Sequence, residues 1–276
     1  MMKKSSFHVT LQIALFSFII ISFTSCEQEN IPTQDLEINT SNLKAERSKP
    51  VEKVNDFYGS AQPIGNGVAR SYVSINHEGE PVSIGVLFSE KALENLGNEA
   101  LNLTLELHSK ARGLIVNHID FGYNPMGHPG PVFMQEHFDI HFYWISVEEK
   151  LSIPFMVDDG EALDLPHSST WPSNYEYEPA TIPEMGRHWI SEEQIHSDTF
   201  DETFIYGSYN SQFTFYEPMI TTEYLQAKDF EDSYVITPLG AYEKPGYYSN
   251  SYKIMYDEVK KQYRVELTDM FWEDGL

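Results

Sequence analysis

Between His118 and Trp144 the chain concentrates side chains that bind metals and move protons. The run reads His118-Ile-Asp120-Phe-Gly-Tyr-Asn124-Pro-Met-Gly127-His128-Pro-Gly-Pro, then Val-Phe-Met-Gln-Glu136-His137-Phe-Asp139-Ile-His141-Phe-Tyr-Trp. It carries four of the ten histidines in the sequence. Imidazoles and carboxylates at this density serve a divalent metal or general acid–base chemistry. The rival account is a buried polar network that only holds a core together.

Spacing decides what the segment can do. In a helix, His137 and His141 would share a face and Asp139 would point away. In a strand, His137, Asp139 and His141 line one face and Phe138, Ile140 and Phe142 the other. The second face is wholly apolar and its residues favour β structure, so a strand is predicted. At about 3.3 Å per residue the Cα atoms of His137 and His141 then stand about 13 Å apart. A histidine Nε2 reaches a metal roughly 6.5 Å from its own Cα, given a bond of about 2.1 Å. Both histidines could share one ion only at full stretch or across a bulge. Asp139 and one of them share an ion easily, leaving the other to orient the carboxylate or to serve a neighbouring polar pocket.

Further ligands must come from other parts of the chain. His118 and Asp120 repeat the i, i+2 spacing, and His128 sits in a turn stiffened by proline and glycine. Later, Met185-Gly-Arg-His188-Trp189 and Phe215-Tyr-Glu217-Pro-Met219 each offer one donor. The candidate metal ligands are therefore His128, His137, Asp139, His141, His188 and Glu217, expected around one ion. No catalytic residue is fixed; Glu136 is a candidate base. Nitrogen and oxygen donors without a thiolate suit zinc, iron, manganese or copper.

Short apolar runs punctuated by Gly and Pro supply the frame. Ala69–Ile75 and Val82–Phe88 form a hairpin around Asn76-His-Glu-Gly-Glu-Pro81. Leu101, Leu103, Leu105 and Leu107 alternate on one strand face. Strands are also expected at Leu114–Phe121, Phe138–Val147, Thr203–Tyr206 and Gln212–Tyr216, with a closing hairpin of Tyr252–Tyr256 and Tyr263–Leu267. One helix is predicted over Ser89–Gly97, with Ser89 as cap and Gly97 as stop. Residues 158–187, rich in Pro, Glu and Tyr, are expected to be mostly irregular. The fold class is all-β or β-dominated α+β, an antiparallel sandwich or barrel with one or two short helices.

The N-terminus is read as a bacterial lipoprotein signal over residues 1–25. Lys3 and Lys4 precede an apolar run from Leu11 to Phe23, and Phe23-Thr-Ser-Cys26 resembles a lipoprotein cleavage box. Cleavage before Cys26 would put lipid on its thiol and anchor the protein to a membrane in the cell envelope. Residues 26–55 are polar and read as a tether, and residues 56–276 as one β-rich domain. Cys26 is the only cysteine, so intrachain disulfides, zinc–thiolate sites and cysteine nucleophiles are excluded. The net charge of −24 repels phosphate backbones and argues against nucleic-acid binding. No phosphate-binding loop, dinucleotide fingerprint, nucleophile elbow or His-Glu-x-x-His motif is present. Asp158-Asp-Gly-Glu161 lacks the spaced ligands of a calcium loop. Trp171, Tyr175, Tyr177, Tyr247 and Tyr248 could form a glycan or peptide platform, ordinary packing, or an oligomer interface.

Gly127-His-Pro129, His137-Phe-Asp-Ile-His-Phe-Tyr143, Met185-Gly-Arg-His-Trp189, Ile205-Tyr-Gly-Ser208 and Glu217-Pro-Met-Ile-Thr221 occur in that order. The set resembles a bacterial family of uncharacterised exported proteins, typified by a thermophile protein under extracytoplasmic sigma-factor control. The likeness runs from about Asp56 to Leu267. It implies an exported β-rich protein that forms homo-oligomers, with no established activity and no assigned catalytic residues. Where that family usually has proline before the first histidine of the second motif, Glu136 stands here, adding a carboxylate beside the cluster.

Overall fold

The computed structural model describes residues 53–128, 132–157, 165–228 and 230–276. The signal, almost all of the tether and the acidic turn at 158–161 lie outside the described residues. The described part forms sixteen strands: β1 (Asn55–Tyr58), β2 (Gln62–Ile64), β3 (Gly67–Ile75), β4 (Pro81–Ser89), β5 (Leu101–Glu106), β6 (His118–Asn124), β7 (His137–Tyr143), β8 (Met156–Val157), β9 (Tyr175–Tyr177), β10 (Ala180–Thr181), β11 (Arg187–Ser191), β12 (Glu202–Tyr209), β13 (Gln212–Thr221), β14 (Glu231–Val235), β15 (Gly246–Asp257) and β16 (Gln262–Glu273). Three short helices interrupt them: α1 (Val147–Leu151), α2 (Glu192–Ile195) and α3 (Thr222–Ala227).

Fourteen of these strands make two seven-stranded antiparallel sheets, and β8 and β10 pair separately as a two-stranded one. The first runs β1-β3-β4-β16-β15-β14, with β2 added to β3; the second runs β5-β6-β7-β13-β12-β11-β9. Both are open paths, so the β-dominated fold takes the form of a sandwich rather than a closed barrel. Among the described residues no helix is long and apolar enough to cross a membrane.

Alternation along each strand delivers one apolar face of each sheet to a shared core. Phe88 of β4 stacks on Tyr263 of β16 and reaches across to Phe121 of β6, each at 5.0 Å between centroids. Phe204 stacks on Tyr252 at 5.4 Å, and Trp144 meets Tyr248 edge-on at the same distance. Phe138, Ile140 and Phe142 of β7 are fully buried within this cluster. Each large aromatic removes 150–250 Å² from water, at roughly 25 cal/mol per Å² of apolar area. Trp171, one of the platform aromatics, packs edge-on against buried Trp189 instead.

Three local expectations change. The helix over Ser89–Gly97 is only a 3-10 turn at Glu90–Leu93. The Ser89 hydroxyl accepts from the Val68 amide across the sheet rather than capping a helix, and the chain leaves the turn at Glu94, which is extended. The strand expected from Leu114 begins at His118, with Leu114 making only an isolated bridge to Tyr247. The strand expected to reach Val147 stops at Tyr143, because Ser146 and Glu149 form a capping box that starts α1.

Candidate metal centre

Strand β7 lies near the middle of the second sheet, and its polar face points away from the shared core. Antiparallel pairing sets Asp120 of β6 opposite His141, Gly122 opposite Asp139, and Asn124 opposite His137. On the other side β13 pairs Tyr216 with Phe142 and Met219 with Asp139, a register that brings Glu217 level with His141. One strand further out, β12 sets Gly207 opposite both Phe215 of β13 and His188 of β11. A side chain at Gly207 would collide with the Phe215 ring. The glycine therefore lets that ring lie flat across β12, where His188 and His141 both meet it edge-on.

The six candidate ligands gather on this face, but in two groups rather than one. His128, His137 and Asp139 form the first triad; His141, His188 and Glu217 form the second. Within each, the donor atoms all lie within 4.8 Å of one another, and both triads could hold a metal ion. The spacing limit along β7 is why they divide: His137 and His141 are too far apart to converge.

In the first triad His137 Nε2 stands 2.9 Å from Asp139 Oδ1, and His128 Nε2 stands 3.2 Å from Asp139 Oδ2. Asn124 donates its side-chain amide to Oδ2. Gly127, at φ +65°, turns the chain so that the His128 amide bonds the Phe133 carbonyl at 2.7 Å. His137 Nδ1 lies 2.6 Å from the Gln135 carbonyl. A carbonyl only accepts, so Nδ1 must carry the hydrogen. In the neutral ring Nε2 then presents a lone pair toward the carboxylate.

The second triad repeats this arrangement. His141 Nε2 is 3.2 Å from Glu217 Oε1, and His188 Nε2 is 3.9 Å from Oε2. His188 Nδ1 meets Glu178 Oε2 at 3.0 Å, again turning Nε2 inward. A carbonyl or carboxylate behind a histidine is the usual way proteins orient a metal ligand.

Five of the donor atoms are buried with no hydrogen-bond partner: His137 Nε2, Asp139 Oδ1, His141 Nε2, His188 Nε2 and Glu217 Oε2. The 2.9 Å approach of His137 to Asp139 is thus a contact without hydrogen-bond alignment. Around an ion with bonds of about 2.1 Å, neighbouring donors stand about 3.0–3.4 Å apart. Most of these separations fall in or near that range.

The two triads differ in their electrostatics. Burial pushes the Asp139 carboxyl up, but His128 and His137 outweigh it and hold it below the ordinary carboxylate range. Burial lowers His141 to about 4. Burial, then repulsion from Asp139 and Glu178, raises Glu217. His141 is therefore neutral near pH 7, and burial favours the protonated form of Glu217. Neutral imidazole is the form that ligates, and a cation would displace the Glu217 proton.

The remaining candidates fall outside the triads. Asp120 is saturated by Lys150 Nζ at 2.6 Å, Asn102 at 2.7 Å and Thr104 at 2.8 Å. His118 stacks on Tyr143 and stays 3.9 Å from Asp120. Glu136, the candidate base, alternates to the other side of the chain from His137. It is exposed and accepts from the Tyr123 hydroxyl at 2.7 Å, so it does not face either triad. A cleft of about 280 Å³ opens beside the centre, lined by Asp120, Asn124, Asp139, His141 and Tyr143 and rimmed by Pro183–Met185.

The sequence reading missed Glu178 and Lys150. Glu178 sits in a stretch rich in acids and tyrosines and carries no distinguishing pattern. Lys150 follows the Ser146-x-x-Glu149 capping box, which marks a helix start but not the burial of that lysine. Comparison with family models, curated proteins and solved structures returns no match. What the fold and site define is thus a class: an antiparallel β-sandwich with two His₂-carboxylate triads on the outer face of one sheet.

Proposed function

We propose that this chain is a lipid-anchored protein of the bacterial cell envelope that binds divalent transition metal on the outer face of its second sheet. One observation carries the metal reading. Five buried donor atoms from β7, β11 and β13 converge without hydrogen-bond partners, an arrangement that costs about 1–3 kcal/mol per stranded group unless something fills it. Two histidines and one carboxylate leave coordination positions open on zinc, iron, manganese or copper. The bound ion would supply a Lewis acid or an activated water beside the cleft. The anchor rests on Cys26 and the segment before it.

The Lys150–Asp120 pair favours a second reading, because the same face also carries a fully satisfied buried ion pair. On that account the histidines are structural and the protein is a binding or assembly module. Elemental analysis of protein purified without chelator separates the two. The metal reading expects near-integral metal and a fall in melting temperature on adding chelator. Less than about a tenth of an equivalent, with an unchanged melting curve, would favour the structural account. In parallel, Cys26→Ala should release the protein from the membrane fraction; retention there would remove the anchor.

A further inference from the structure

We infer that the two triads are separate sites and that the loaded protein carries two divalent ions side by side along β7. This rests on the reading that the face binds metal at all, and adds that no single ion is shared. The donor sets have no atom in common. Asp139 commits Oδ1 to His137 and Oδ2 to His128 and Asn124. Glu217 turns Oε1 to His141 and Oε2 toward His188. The histidines at the two ends of the β7 face stand about 13 Å apart at Cα, and at roughly 3.3 Å per residue neither can reach into the other's triad without leaving its own.

Each triad also has its own orienting partner, the Gln135 carbonyl behind His137 and the Glu178 carboxylate behind His188. One pocket with spare histidines would need only one such partner. Three protein donors per ion leave at least one position for solvent or ligand. Asp139 and His141, one from each triad, both line the same cleft. A small molecule entering there meets both ions.

The test is a titration of the full chain, stripped with chelator, using zinc followed by calorimetry and native mass spectrometry. Two equivalents are expected. His128→Ala and His188→Ala change the most exposed ligand of each triad, and each should bind one equivalent, with the double variant binding none. One equivalent in the unmodified protein overturns the two-ion inference and leaves the metal reading standing. No binding removes both, as do two equivalents that neither substitution affects. An anomalous-scattering map of zinc-soaked wild-type crystals needs no variant: two peaks, one at each triad, support the inference, and one peak overturns it.

Discussion

The two faces of β7 are equally buried and opposite in chemistry. Phe138, Ile140 and Phe142 on one side and His137, Asp139 and His141 on the other are each at most 3% exposed. The apolar side repays its burial through area removed from water. The polar side has no such return, because each desolvated donor or acceptor costs free energy unless partnered. The sandwich does not need this second interior. On the same face, small apolar clusters around Tyr143, Ile153 and Phe215, and around Phe200, Ile205 and Met219, flank the polar band. Apolar packing was thus available on both flanks of the polar band.

Substitutions on the two faces should separate these roles. Phe142→Ala on the core side should lower unfolding free energy by about 3–5 kcal/mol, read by urea melts, with or without zinc. Glu217→Gln on the polar side should change the metal-stripped protein far less than Phe142→Ala, because the amide keeps the carboxyl's shape and burial already disfavours the charged form. In zinc at a hundredfold excess over Kd the wild type gains about 2.7 kcal/mol per site, and this variant should lose the share of its own triad. Equal losses in stripped and loaded protein would make the polar face a structural core after all.

A smaller contrast lies away from the centre, in a cleft of about 370 Å³ lined by Glu202, Phe204, Tyr234 and Tyr252. Burial, with repulsion from Asp232 and Asp201, raises Glu202 to about 7 from an ordinary 4.5. The folded state therefore holds a proton that the unfolded state has released between those values. Its stabilising contribution is complete below pH 4.5 and lost as pH rises through 7. Each tenfold gain in proton affinity is worth about 1.4 kcal/mol, so the loss by about pH 8 is on the order of 2 kcal/mol once screening in the open cleft is allowed for. Glu202→Gln should abolish that difference between melts at about pH 5 and about pH 8 while leaving zinc binding unchanged. A pH difference that persists in the variant would place its origin in another group.

Most of the sheet architecture was legible because strand periodicity is local. The hairpin of β3 and β4, the leucine face of β5, the alternation in β7 and the closing pair β15 and β16 all follow from residues two apart. Whole strands went unread, with no expectation at β1, β2, β11 or β14 and with β9 and β10 inside the stretch expected to be irregular, and other failures were at boundaries. Ser89 found a partner on β3 instead of capping a helix, and the Ser146 capping box cut β7 short. The six candidate ligands were also legible as residue types, and the limit on His137 and His141 sharing an ion was set by strand rise alone.

How those ligands divide was not local. His128 joins β7 through a turn, Glu217 through the β7–β13 register, and His188 by leaning past Gly207 and Phe215. The sequence by itself determined which groups could ligate and that one strand would display three of them, since side-chain type and a two-residue repeat belong to the chain. Tertiary structure alone decided which carboxylate serves which histidine and that Lys150 satisfies Asp120. Those outcomes depend on strand order and register, which are set by the cooperative packing of both sheets rather than by any one segment.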